Sequence, residues 1–358
     1  MKKKLILSLS FGILLSSAAL YLAFRNVPMA DLVAYLRAIN YLWVIPAVLL
    51  VVIGFVLRAV RWRIILSTSE HVKFWQSYHP LMIGFMLNCV LPGRVGEAAR
   101  PLILNRKDSV PFTTGLATVA AERLLDIGFM ITFLAVVMSS IPMDAALQVS
   151  FGKYHLSRET LTEIGIGFIR ICIVLLVGIL IVAIDYTRNI LKRVSMKLPD
   201  ALLFFTSADF REKVRHSVCS RLNRLVDHAA QGLSLLKHPR KLCICIGLTI
   251  VIWWLAALSY YVLAIGCPGV ALSFYEFSVV MVIICFFIAL PSVPGFWGVW
   301  EAGGVFALSL FGVSSQTAAG FTLANHAVQM FPVIIMGLLS AASVSVNIWQ
   351  VSYGTQAR

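Results

Sequence analysis

The chain has 358 residues, 59% of them hydrophobic and only 13% charged, with a mean hydropathy of +0.88. A soluble domain carries about a quarter charged residues, so there is too little polar surface here for a water-soluble globule, and most of the chain must be solvated by lipid. The formal charge of +14 collects in a few short segments, as in loops facing anionic headgroups; with no basic stripe of interleaved aromatics, nucleic-acid binding is excluded.

The first apolar run is Leu5–Phe24, preceded by Lys2–Lys4. Ser17-Ala18-Ala19 gives it the look of a signal peptide, but its length of about 20 residues suits an uncleaved spanning helix whose N-terminus is cytoplasmic. The other runs long enough to span are Tyr41–Leu57, Ala117–Ile141, Ile164–Ile184, Leu242–Ile265 and Ala318–Ile348. Two more are interrupted. Pro80–Leu91 ends at Pro92-Gly93, and Phe274–Leu290 is followed by Pro291, Pro294 and Gly295 before a second apolar piece, Gly303–Val313. Such short runs predict re-entrant or broken helices.

Positive charge orients these segments. Arg58, Arg61, Arg63 and Lys73 follow the second span and are expected on the cytoplasmic side. Residues 185–241 form the most basic stretch, with twelve lysines and arginines, and are expected there too. Both ends of Pro80–Leu91 then lie inside, making 78–107 re-entrant from the cytoplasm; with Arg358 inside, 274–313 dips in from the opposite face. The two segments share a pattern, Pro92-Gly93-x-x-Gly96-Glu97 against Pro294-Gly295-x-x-Gly298-x-x-Glu301, in units of opposite orientation. The expected fold is therefore an all-α polytopic membrane helix bundle in one integral membrane domain. It has about six full spans and two re-entrant hairpins in an inverted repeat, 41–141 and 242–348. Within the basic connector, Phe210, Val214, Val218, Leu222, Leu225, Ala229, Leu233 and Leu236 form an apolar stripe at helical spacing. It predicts a helix on the inner membrane surface or against the end of the bundle, either a plain connector or a regulatory element.

Ionisable groups at membrane depth are costly and mark candidate sites. Arg94, Glu97 and Arg100 recur at three-residue spacing after Pro92-Gly93, where two guanidiniums could grip a phosphate bidentately at a helix N-terminus. Gly93 and Gly96 permit a turn and close backbone approach. Glu122, Arg123 and Asp126 sit in an otherwise apolar helix and must face the interior or a wet cavity, as substrate contacts or as an ion-pair network with Arg94 and Arg100. Glu301 lacks a basic neighbour in sequence, so Arg94, Arg100 or Arg123 is its expected partner, whether as a proton carrier or a static strut. His326, with Asn325 and Gln329, adds a polar patch on the last helix, either a helix–helix contact or a ligand group. The seven cysteines include no C-x-x-C pair and read as small buried hydrophobes, not metal ligands. No phosphate loop, G-x-S-x-G or H-E-x-x-H is present, so no catalytic residue, metal or cofactor is assigned and enzymatic chemistry is not expected.

The run Asn88–Pro101, Ala121-Glu122-Arg123 through Asp126, the stretch Pro291–Glu301 and the His326–Gln329–Pro332 pattern together resemble the flippase-like membrane family, also known as the lysylphosphatidylglycerol synthase transmembrane region. The resemblance covers nearly the whole chain, in order. It implies a multi-pass inner-membrane protein that handles anionic phospholipids or polyprenyl-linked headgroups, with Arg94, Glu97, Arg100, Glu122, Arg123, Asp126 and Glu301 at the matching positions. Phe296 stands where many members have a second glycine, and no aminoacyl-transferase domain is seen, so lipid synthesis is not carried over. The expectation is a lipid flippase or lipid-linked transporter whose partners are membrane lipids. An intramembrane lipid-modifying enzyme and an accessory scaffold for a lipid-synthesis enzyme are the alternatives.

Overall fold

The computed structural model describes residues 14–25, 27–91, 94–140, 149–151, 154–156, 184–202, 207–290 and 293–344, with a few single positions between 170 and 182. Helices dominate, joined by one short antiparallel ladder, Val149–Phe151 with Tyr154–Leu156. The chain is an all-α membrane bundle. Among the described residues three helices are long and apolar enough to cross a bilayer: α3 (Val44–Leu66, entered through the turn Tyr41–Trp43), α10 (Pro239–Ile265) and α13 (Ser315–Ser343). A fourth, α6 (Phe112–Ser140), has the length but carries Glu122, Arg123 and Asp126. Of the predicted first span, only α1 (Leu14–Phe24) falls within the described residues; Ile164–Ile184 lies almost entirely outside them. The short α2 (Met29–Ala38) follows α1.

The span predicted to stop at Leu57 instead continues to Leu66. Ala59, Trp62, Ile65 and Leu66 are all fully buried and extend its core-facing stripe past the arginines. Arg61, one of the positive charges expected on the cytoplasmic side, is fully buried as well. Carboxylates of α6 supply what water would otherwise supply.

Between α3 and α6 the chain makes a hairpin of α4 (Phe74–Val90) and α5 (Val95–Asp108); between α10 and α13 it makes another, of α11 (Phe274–Ile288) and α12 (Val299–Ser309). At about 1.5 Å per residue none of these four helices reaches the roughly 30 Å of a hydrocarbon core. The first hairpin closes on two glycines: a Cβ on Gly96 would lie 1.8 Å from the Gly84 carbonyl oxygen, so only bare backbone fits. The Asn88 side chain also accepts the Gly96 N–H at 2.8 Å. In the second hairpin the connection turns through left-handed backbone at Gly295 (φ 73°), Phe296 (φ 61°) and Gly298 (φ 90°), and Val293 N–H donates to Ser16 Oγ of α1 at 3.1 Å. Pro92 and Gly93 lie outside the described residues.

The basic connector forms α7 (Asp185–Leu202) and, beyond residue 207, α8 (Ala208–Val214), a π turn at 215–219 and α9 (Ser220–Gly232). The helix predicted over the apolar stripe runs on through the π turn, with Val214, Arg215 and Ser220 all in right-handed helical backbone, and ends in a 3-10 turn at Leu233–Lys237. α7 and α9 are tied by Lys192–Asp227 (2.7 Å) and Ser195–Asn223 (2.8 Å). Phe210, Val218, Leu222 and Leu236 of the apolar stripe are exposed; the side chains of 225, 229 and 233 are outside the described set.

Candidate functional site

The tips of the two hairpins meet. The Arg94 guanidinium donates to the Ile288 carbonyl at 2.8 Å, and a Cβ on Gly295 would sit 3.2 Å from the Cys89 carbonyl oxygen. Where they meet, α3, α6, α10 and α13 enclose a cavity of about 230 Å³. Its wall carries Arg58, Arg94, Glu97, Arg123 and Gln329 beside the aromatic faces of Phe85, Trp253, Phe296 and Trp300. A larger hollow of about 600 Å³, between α2, α3 and α13, is lined by apolar groups such as Val44, Val48, Phe331 and Ile335. The ionisable chemistry belongs to the smaller one.

Behind the cavity lies a buried ionic network centred on α6. Glu122, with no exposed surface, receives Arg100 at 2.7 Å, Arg123 at 2.8 Å and Arg61 at 3.4 Å. Asp126 receives both terminal nitrogens of Arg61 (2.8 and 3.1 Å), Arg123 at 3.3 Å and the Trp253 indole at 3.2 Å. Arg61 also donates to Thr249 Oγ1 at 2.6 Å. Arg100 lies under the Trp62 ring at 4.3 Å, its stem against Gly84. Spacing explains the convergence: Glu122 and Asp126 are one turn apart on α6, and Arg58 and Arg61 nearly one turn apart on α3. Charges so deep persist only because each has hydrogen-bonded partners.

Arg58 stays on the cavity side, 3.9 Å from Asp126 and over the Trp253 ring at 5.0 Å. Counting cavity and network together, Arg58, Arg61, Arg94, Arg100 and Arg123 face Glu97, Glu122 and Asp126. Five cations against three anions leave two positive charges in excess, and low-dielectric walls focus that potential into the hollow.

Glu301 is fully buried and pairs with His326, not with an arginine as expected: His326 Nδ1 lies 2.6 Å from Oε1, while Oε2 accepts the Gly298 N–H at 2.7 Å. His326 Nε2 lies 2.8 Å from the Gly295 carbonyl oxygen, and its ring stacks on Trp300 at 4.5 Å. The predicted residues therefore divide. Arg94, Glu97, Arg123 and His326 line the cavity; Arg100, Glu122, Asp126 and Glu301 stand behind its wall. Arg58 and Arg61 entered the sequence reading only as charges that orient the second span, not as site residues. Their three-residue spacing, followed by the apolar run Trp62–Leu66 with only Arg63 breaking it on another face, is the signal that could have found them.

A family model described as lysylphosphatidylglycerol synthase TM region matches residues 9–337. Among curated proteins, Glycosyltransferase AglD of Haloferax volcanii is 24% identical over 360 residues, covering 94% of this chain and 54% of its own length. The chain thus spans about half the length of this relative. No solved structure matches. The expectation that no enzymatic chemistry is involved is overturned by this relative, whose name is that of a glycosyltransferase.

Proposed function

Since the chain belongs to the lysylphosphatidylglycerol synthase transmembrane-region family, a family of lipid-related membrane proteins, we propose that it moves an anionic lipid headgroup across the cytoplasmic membrane, carried on a phospholipid or a polyprenyl chain. The observation that carries this reading is the cavity between the hairpin tips, with its excess of two positive charges. Arg58, Arg94 and Arg123 would hold the phosphate through charge-assisted hydrogen bonds, and the aromatic walls would take the apolar face of the headgroup. The lipid tail would lie in the apolar hollow across the α3–α13 contact.

In this reading, α3–α6 and α10–α13 are inverted repeats and their hairpins are re-entrant from opposite faces. Both termini lie in the cytoplasm, and the site opens by alternation of the two units. Support comes from the shared order of the units (long helix, short hairpin, long helix) and from the meeting of their tips. A second reading, participation in glycosyl transfer to a lipid carrier, is favoured by the relative's name.

Reconstitution into liposomes with fluorescent anionic and zwitterionic lipids tests the proposal. Anionic probes should change leaflet faster than in empty vesicles, and Arg58→Gln should slow them about ten-fold, the worth of one hydrogen bond to a charged group. No translocation across a panel of anionic lipids would refute transport. A new or missing lipid species in deletion strains, seen by mass spectrometry, would favour the second reading.

A further inference from the structure

We propose that His326 and Glu301 form a proton-dependent latch on the tip of the second hairpin beside the cavity, so that release of one proton frees Gly295 from it. The argument is a count of hydrogens. The Gly295 carbonyl only accepts, so the 2.8 Å contact requires a hydrogen on His326 Nε2. The 2.6 Å contact between Nδ1 and Glu301 Oε1 requires a second, borne by either atom. Two contacts thus need two hydrogens, and all must come from the imidazole and the carboxyl. When the pair loses one, a nitrogen lone pair faces either the carboxylate or the carbonyl at hydrogen-bond distance, and that contact opens. Glu301 cannot turn away freely, because Oε2 is held by the Gly298 N–H at the start of α12. The Gly295 contact is the weaker tie, since its segment turns through three left-handed residues in four.

The surroundings couple the latch to charge in the cavity. Arg58 of α3, Cys89 of α4, Arg94 just before α5, Glu97 of α5, Arg123 of α6, Tyr260 of α10 and Cys285 of α11 share its wall with His326. Three cations against one carboxylate disfavour further positive charge there. An anion among the arginines removes that penalty and favours the protonated, closed latch. Proton release and headgroup release are then linked.

This ligand half rests on the anionic-headgroup reading; the latch itself does not. The experiment is hydrogen exchange, read by peptide mass spectrometry on the full chain in nanodiscs, across mildly acidic to mildly alkaline pH and corrected for intrinsic exchange. The wild-type peptide spanning Val293–Gly298 should gain at least about five-fold in exchange as pH rises, the change expected for one lost hydrogen bond. Glu301→Gln can donate to Nδ1 through its amide while still accepting from Gly298, so both contacts persist with a neutral imidazole and no shared proton to lose, and the step with rising pH should vanish. His326→Gln cannot serve both contacts and should exchange fast at every pH, which decides the matter if Glu301→Gln fails to fold. Inorganic phosphate should move the wild-type step to higher pH. A flat wild-type profile, or a step that persists in either variant, overturns the latch and leaves a static strut. A step without a phosphate effect overturns the coupling and, with it, the anionic reading of the cavity.

Discussion

Glu122 is the hub of the buried network, and its removal offers the sharpest test of how that network stands. Three guanidiniums converge on it, within 2.7, 2.8 and 3.4 Å, and one of them, Arg100, has no other carboxylate within ion-pair distance among the described residues. Glu122→Ala therefore strands Arg100, which is 2% exposed, while Arg61 and Arg123 retain Asp126. Leaving a buried charge without its partner costs about 3–5 kcal/mol, a drop of roughly 100- to 4000-fold in the folding equilibrium constant. The reverse substitution is not symmetric. Arg100→Met keeps the stem packed against Gly84 and leaves Glu122 with two cations, so it should cost about 1.5–3 kcal/mol, the range for one lost hydrogen bond to a charged group. Reversible unfolding in mixed micelles, followed by tryptophan fluorescence, measures both. The reasoning is refuted if Glu122→Ala unfolds at the wild-type midpoint, or if Arg100→Met proves the more damaging change.

Gly96→Ala should destabilise the first hairpin by about 2 kcal/mol or more through overpacking, because its Cβ would meet the Gly84 carbonyl; Gly247→Ala, whose Cβ would meet nothing beyond its own helix within 4 Å among the described residues, should be neutral or gain up to about 1 kcal/mol of helix propensity. Thermal unfolding of the two variants in the same detergent checks this, and equal losses would discount the close glycine contact. At Phe296, glycine and alanine both delete the ring, so their difference isolates the left-handed backbone at φ 61°. Phe296→Gly should be more stable than Phe296→Ala by about 1 kcal/mol, and the reverse order would show that the backbone there is not strained. At the connector, Asp185 accepts from Lys237 and pairs with Arg188, and these cations hold its carboxyl below the usual aspartate range. With the folded value depressed, the tie is complete at neutral pH and is lost as pH falls through that lowered value. Hydrogen exchange in the first turn of α7 should therefore rise on acidification in wild type but not in Asp185→Asn; the same rise in both would exclude this carboxylate as the cause.

Much of the fold could be read directly from the chain. Composition settles the solvent, since so few charged side chains cannot cover a globule in water, and run length locates α3, α10 and α13 because a helix must match the bilayer's thickness. The paired Pro-Gly steps mark the hairpins as well, whereas the lone Pro80, Pro101 and Pro332 sit inside helices. Candidate site residues were legible for a related reason: an ionised group in oil is so costly that its mere presence at that depth indicates a partner.

Which partner was another matter. Glu301 was expected to find an arginine and instead meets His326, brought alongside by the packing of α12 on α13. Arg58 and Arg61 look, in sequence, like the solvated end of a span, yet α6 presents Asp126 to both and Glu122 to Arg61, and draws them into the interior. Arg94 and Arg100, six residues apart and alike on paper, face different surroundings, one at the cavity and one under Trp62. A sequence lists what each side chain needs locally: a polar partner, a turn, an apolar neighbour. Who supplies it depends on distances between segments far apart in the chain, and only tertiary packing sets those.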